Sequence, residues 1–227
     1  MITVGFTRTD NGIFLPHVDV LRNLNRTFRR AEMDVDYSKG FVKHMLLKLT
    51  QPLPFGVADT DCYVTADLDG FAPSEAIDRF NKNCPPFLRA HSAFVTEKNP
   101  GLAGLINASK YFVKGNLTPD QIDAINNLPS DYTVTTVRKE GEITKSTAGL
   151  IMGIKASADG IFATLAFGNV NLRIDVLIEQ FNKDFGTIFK VTDVTRTQQL
   201  IISPEKSLSA EEYLSAISQI KIINGSK

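Results

Sequence analysis

The chain has 227 residues, with 25 Lys and Arg balanced by 25 Asp and Glu, so its formal net charge is zero. This balance excludes a globally cationic nucleic-acid binder and leaves recognition of an anionic partner to a local basic patch. Apolar residues make up 43% and charged residues 22%, an ordinary globular composition that argues against disorder.

No apolar run reaches membrane-spanning length, and the N-terminus enters directly into a strand-like segment, so a cytoplasmic protein with no membrane partner is expected. Cys62 and Cys84 form no C-x-x-C pair. Neither a zinc site nor an iron–sulfur cluster is expected from them, and they read as reduced thiols. His17, His44 and His91 show no metal-binding spacing. Neither phosphate-loop glycine pattern occurs, so no cofactor is expected.

In chain order, Ile2 to Arg8 alternates apolar and polar residues, the period of a half-buried strand. A helix is predicted from Pro16 to Glu32, with Val18, Leu21, Leu24 and Phe28 on its apolar side. Asp36 to Gly40 reads as a loop, and Lys43 to Thr50 and Cys62 to Leu68 as strands. Pro52 and Pro54 remove ladder donors between them. Pro73 opens a second helix that reaches Asn83, and Phe87 to Val95 is the closing strand. A second round follows after Asn99-Pro100-Gly101. It comprises a strand at Lys110 to Lys114, a capped helix from Thr118, a hairpin of Gly149 to Ser157 with Ile161 to Phe167, a helix from Asn171 to Phe185, and a strand from Ile188 to Ile202. Tyr132 to Thr147 is predicted to be an inserted two-stranded arm carrying Arg138, Lys139 and Lys145.

This order predicts an α+β fold of two tandem ferredoxin-like (βαββαβ) sandwiches, the second with an inserted β-hairpin arm. The expected divisions are 1–98, a linker at 99–108 with a short helix, 109–202 with the arm at 132–147, and a tail at 203–227. A short helix capped by Ser209 and Glu212 is expected in the tail.

Arg22, Arg26, Arg29 and Arg30 fall within a stripe of about 100° on the first helix, opposite its apolar face. Guanidinium forks suit phosphate oxygens, and the stripe reads as a nucleic-acid surface, a protein interface or a solvated face. His17 stands at the helix start, as a general-base candidate or a packing residue. Tyr37, Ser38, Lys39, Gly40, Phe41 and His44 form a loop whose aromatics suit either stacking on an unpaired base or anchoring the loop. Arg173, Arg196 and Gln198 are a second polar group. No catalytic constellation is complete, and a non-catalytic role is expected.

The run Phe14-Leu15-Pro16-His17-Val18-Asp19-Val20-Leu21-Arg22, with Phe28-Arg29-Arg30-Ala31 and Tyr37-Ser38-Lys39-Gly40-Phe41, resembles a radical-SAM-linked family of unknown function. Pro52-Leu53-Pro54-Phe55-Gly56-Val57 is similar to a further stretch of that family, and Leu172-Arg173-Ile174 and Arg196-Thr197-Gln198-Gln199 match it loosely. Val42-Lys43-His44-Met45 departs from its pattern. The resemblance implies an accessory module that presents RNA, such as transfer or ribosomal RNA, to a radical-SAM protein. The alternatives are an adaptor contacting only that protein, with Phe41 and Phe55 as anchors, and a metal-independent ribonuclease using His17 or His44. The oligomeric state is not legible.

Overall fold

The computed structural model describes residues 1–68, 70–138, 141–168 and 171–218 of this mixed α+β protein. Lys139 of the expected arm lies outside the described residues. Two compact units are present, one comprising Met1–Leu53, Asp59–Leu105 and the segment from Leu208, the other Pro54–Ala58 and Ile106–Ser207.

The first unit runs β1 (Ile2–Arg8), α1 (His17–Arg30), β2 (Leu47–Leu49), β3 (Ala58–Ala66), α2 (Pro73–Asn83) and β4 (Leu88–Val95). Its strands lie in the order β4-β1-β3-β2 with every pairing antiparallel. Ile2, Val4 and Phe6 of β1 meet Val20, Leu24 and Phe28 of α1 and Ala76 and Phe80 of α2 in one buried cluster. Phe80 is its hub, with ring centroids 6.0 Å from both Phe6 and Phe28. Each such ring removed from water contributes about 1.5–3 kcal/mol. The unit closes with α3 (Leu102–Leu105) and, from its C-terminal segment, α6 (Ala210–Ile217). The Ser209–Glu212 capping box expected at α6 is formed.

The second unit runs β5 (Ala108–Lys114), α4 (Pro119–Asn126), β6 (Thr133–Arg138), β7 (Gly141–Ser146), β8 (Ile151–Ser157), β9 (Gly160–Ala166), α5 (Ile174–Phe185) and β10 (Val194–Ile202). Its main strands lie in the order β10-β5-β9-β8, again antiparallel. Among the described residues, β6 and β7 pair only with each other, forming the expected arm. The β8–β9 turn depends on Gly160. Its φ is +140°, and a Cβ there would lie 2.1 Å from the carbonyl oxygen of Val113.

Two expected strands are shorter than their sequence suggests. The segment predicted as a strand from Lys43 is paired only over Leu47–Leu49, because residues 37–45 fold back on themselves. The strand predicted from Ile188 begins at Val194. Val191–Asp193 forms a 3-10 turn instead, held by the Lys190 N–H donating to the Asp193 carboxylate at 2.9 Å.

Candidate nucleic-acid interface

The buried side of α1 is set by Val20, Leu24, Thr27 and Phe28. Their spacing commits the helix to one orientation on the sheet and leaves Arg22, Arg26, Arg29 and Arg30 exposed together. Arg22 is partly occupied within its own helix, donating to Asp19 Oδ1 at 2.8 Å. Asp19 sits in the first turn, where the helix dipole also favours a carboxylate.

Arg29 is tied to the loop that follows. Its Nε donates to the Tyr37 hydroxyl at 3.2 Å, and its guanidinium carbon lies 5.9 Å from the Tyr37 ring centre. Tyr37 in turn forms an antiparallel bridge with Met45. The Ser38 N–H donates to the His44 carbonyl at 2.9 Å, and the His44 N–H donates to Ser38 Oγ at 3.1 Å. Ser38 Oγ and His44 Nδ1 are also hydrogen-bonded at 3.0 Å. At the base of this small hairpin, the Leu46 N–H donates to Asp36 O at 2.8 Å and the Asp36 N–H to Asp67 O at 3.1 Å.

The hairpin thus holds a tip of Lys39, Gly40, Phe41, Val42 and Lys43, all exposed, with Phe41 wholly in solvent. A cation stands two residues before and two after that aromatic side chain. Gly40 is not sterically required, since a Cβ there would meet only the Val42 carbonyl oxygen at 3.7 Å. The sequence reading missed Lys43. Its signal was the symmetric Lys-Gly-Phe-Val-Lys spacing around Phe41. Glu32, Asp34 and Asp36 are exposed on the segment joining helix to hairpin and limit the net positive charge.

The remaining predicted residues lie elsewhere. His17 is at the opposite end of α1, about 18 Å along the axis from Arg29 at 1.5 Å per residue. It is half-buried and is the first residue of the helix, after the N-cap Pro16. Burial, and secondarily the charge of Arg8, hold its imidazole pKa below the ordinary value. Arg173 is at the N-cap of α5 in the second unit and forks onto Asp175. Arg196 is 1% exposed, whereas Gln198 is half-buried. A register shift in β10 falls between them, so Arg196 faces inward and Gln198 does not.

These elements define a mixed α+β protein that presents an arginine-lined helix beside an aromatic-tipped basic hairpin. The model of a bacterial family, described as uncharacterized proteins conserved in bacteria and designated DUF2344, matches residues 1–180, which include the whole of this surface. The chain belongs to that family. No curated protein matches it.

Proposed function

We propose that this chain is a non-catalytic, cytoplasmic accessory module that binds RNA through the arginine face of α1 and the hairpin at residues 37–45. The observation that carries this reading is the Arg29–Tyr37 contact, which couples a phosphate-binding side chain to a loop whose tip offers Phe41 between Lys39 and Lys43. Guanidinium and ammonium groups recognise phosphate, and an exposed ring recognises the face of an unpaired base. Each unit is read as a ferredoxin-like sandwich, because two helices connect four antiparallel strands ordered 4-1-3-2 in both. The module's working partner is a radical-SAM protein, as the resemblance of residues 14–57 implies.

Phe41 favours a second reading, an adaptor that uses this ring as an anchor in the partner without touching RNA. Titrating labelled transfer RNA with the protein at about 50 and 200 mM salt separates the two. The RNA reading expects an affinity that falls steeply with salt. No binding at the lower salt, together with a nuclease-insensitive complex with the enzyme, supports the adaptor.

A further inference from the structure

The two units differ in how the second face of each sheet is finished. In the first unit that face carries Thr3, Tyr63 and Thr65, all buried. The unit's own helix α6 is nearby, with Glu211 acting electrostatically on both Tyr63 and His91 and Ser218 donating to the Val95 carbonyl. In the second unit, Tyr111, Val113, Ile161, Ala163 and Leu165 are buried on one face. The alternate positions point the other way. There Phe112 of β5 stands directly opposite Phe162 of β9, ring centroids 4.7 Å apart at an interplanar angle of 36°. Phe162 is 53% exposed in mid-sheet.

The surroundings of this ring pair are basic. Lys110 and Lys114 flank Phe112 on its own strand, and Lys155 is in register with Phe162 from β8. All three lysines are exposed. Thr164, Thr195 and Gln198 fill neighbouring positions by register, opposite Lys110, Phe112 and Lys110 respectively. No carboxylate occupies an outward position among these central residues. The rings join two grooves. One, of about 340 Å³, is lined by Lys110, Lys155, Phe162 and Thr164. The other, of about 560 Å³, is lined by Phe112, Lys114, Ile188 and Lys190, with Asp159 and Asp193 also on its wall.

From these features we infer that the outer face of β5, β9 and β8 is a binding platform for a single-stranded nucleic acid. Bases stack on Phe162 and Phe112, and Lys110, Lys114 and Lys155 meet the phosphates. Stacking accepts any base because each has a π-face. Duplex bases have those faces covered by their neighbours, so the platform selects unpaired strands. The charge complementarity favours nucleic acid over an apolar protein segment, which has no use for three lysines around the rings. This inference goes beyond the role assigned to α1 and the hairpin, and it stands on residues of the other unit.

The test uses the full chain with labelled oligouridine, oligothymidine and a blunt RNA duplex, beside Phe162→Ala, Phe162→Tyr and Lys155→Ala. Phe162→Tyr is expected to keep the wild-type melting temperature, and Phe162→Ala to lower it by a few degrees at most, for the ring pair lost with Phe112. Phe162→Ala should weaken binding of at least one single strand by roughly tenfold or more, in line with alanine replacement of stacking aromatics. Phe162→Tyr should retain it, and duplex binding should not change. Oligonucleotide affinity unaltered in both Phe162→Ala and Lys155→Ala overturns the inference. So does a Phe162-dependent complex with a protein while oligonucleotide binding stays intact. Arg26→Ala/Arg29→Ala in parallel keeps the readings apart. If it abolishes transfer-RNA binding while Phe162→Ala changes nothing, the platform fails and the helix surface stands; the reverse pattern fails the helix surface alone.

Discussion

Arg29 and Tyr37 are joined twice, by a 3.2 Å hydrogen bond from Nε to the phenol oxygen and by the guanidinium carbon lying 5.9 Å from the ring centre. The contact orders a long cation that would otherwise lose rotamer entropy on meeting an anionic ligand, and it ties the end of α1 to the base of the hairpin. Preorganisation of this kind raises affinity without adding a contact to the ligand.

Replacing Tyr37 separates those two effects. Tyr37→Phe removes the hydroxyl acceptor and keeps the ring, whereas Tyr37→Ala removes both. Transfer-RNA affinity should fall in the order wild type, Phe, Ala. Folding stability should stay within about 0.5 kcal/mol for Tyr37→Phe and fall by about 1–2 kcal/mol for Tyr37→Ala, which also removes the buried part of the ring. Anisotropy titration and urea unfolding of the three proteins check this.

The fold depends on Phe80 far more than on any site residue. It is completely buried against Phe6 and Phe28, so Phe80→Ala leaves a cavity at the junction of α1, α2 and β1. A loss of about 3–5 kcal/mol is expected. It should be read from the shift in denaturant midpoint.

Acid should weaken the first unit through two histidines. Burial lowers the pKa of His17 and of His91, reinforced for His17 by Arg8 and partly opposed for His91 by Glu211. The unfolded chain then binds more protons than the folded one as pH falls below the ordinary histidine value of about 6.5. Their contribution is fully present above that pH and is lost as pH drops through the lower folded values. Unfolding midpoints measured between about pH 7.5 and 5 should decline, and His17→Gln/His91→Gln should flatten the decline.

The arginine stripe was legible because helical periodicity is local. Four arginines at 3.6-residue spacing place the charged face of α1 without reference to the rest of the chain. Leu24 and Phe28 are buried as expected, whereas Val18, expected on the apolar side, is exposed and Val20 and Thr27 are buried instead. The hairpin was not. Its pairing rests on the Tyr37–Met45 bridge and on Ser38 and His44 satisfying each other, while Lys-Gly-Phe-Val-Lys has no strand alternation to announce it. Arg196 shows a different limit. The bulge between Arg196 and Gln198 reverses the inside–outside alternation, so two residues that read as one polar group point to different faces. Phe112 and Phe162 belong to strands that the alternation did reveal. Their adjacency, however, follows from the β5–β9 register, which the sequence of neither strand contains.

The most direct measurement is the affinity of transfer RNA for Arg26→Ala/Arg29→Ala against the wild type, followed by anisotropy across a salt series. The account predicts weaker binding and a slope of log affinity against log salt shallower by between about one and two, roughly 0.7–0.9 for each phosphate contact removed. An unchanged affinity and slope would contradict it, and would assign any RNA binding to surfaces other than α1.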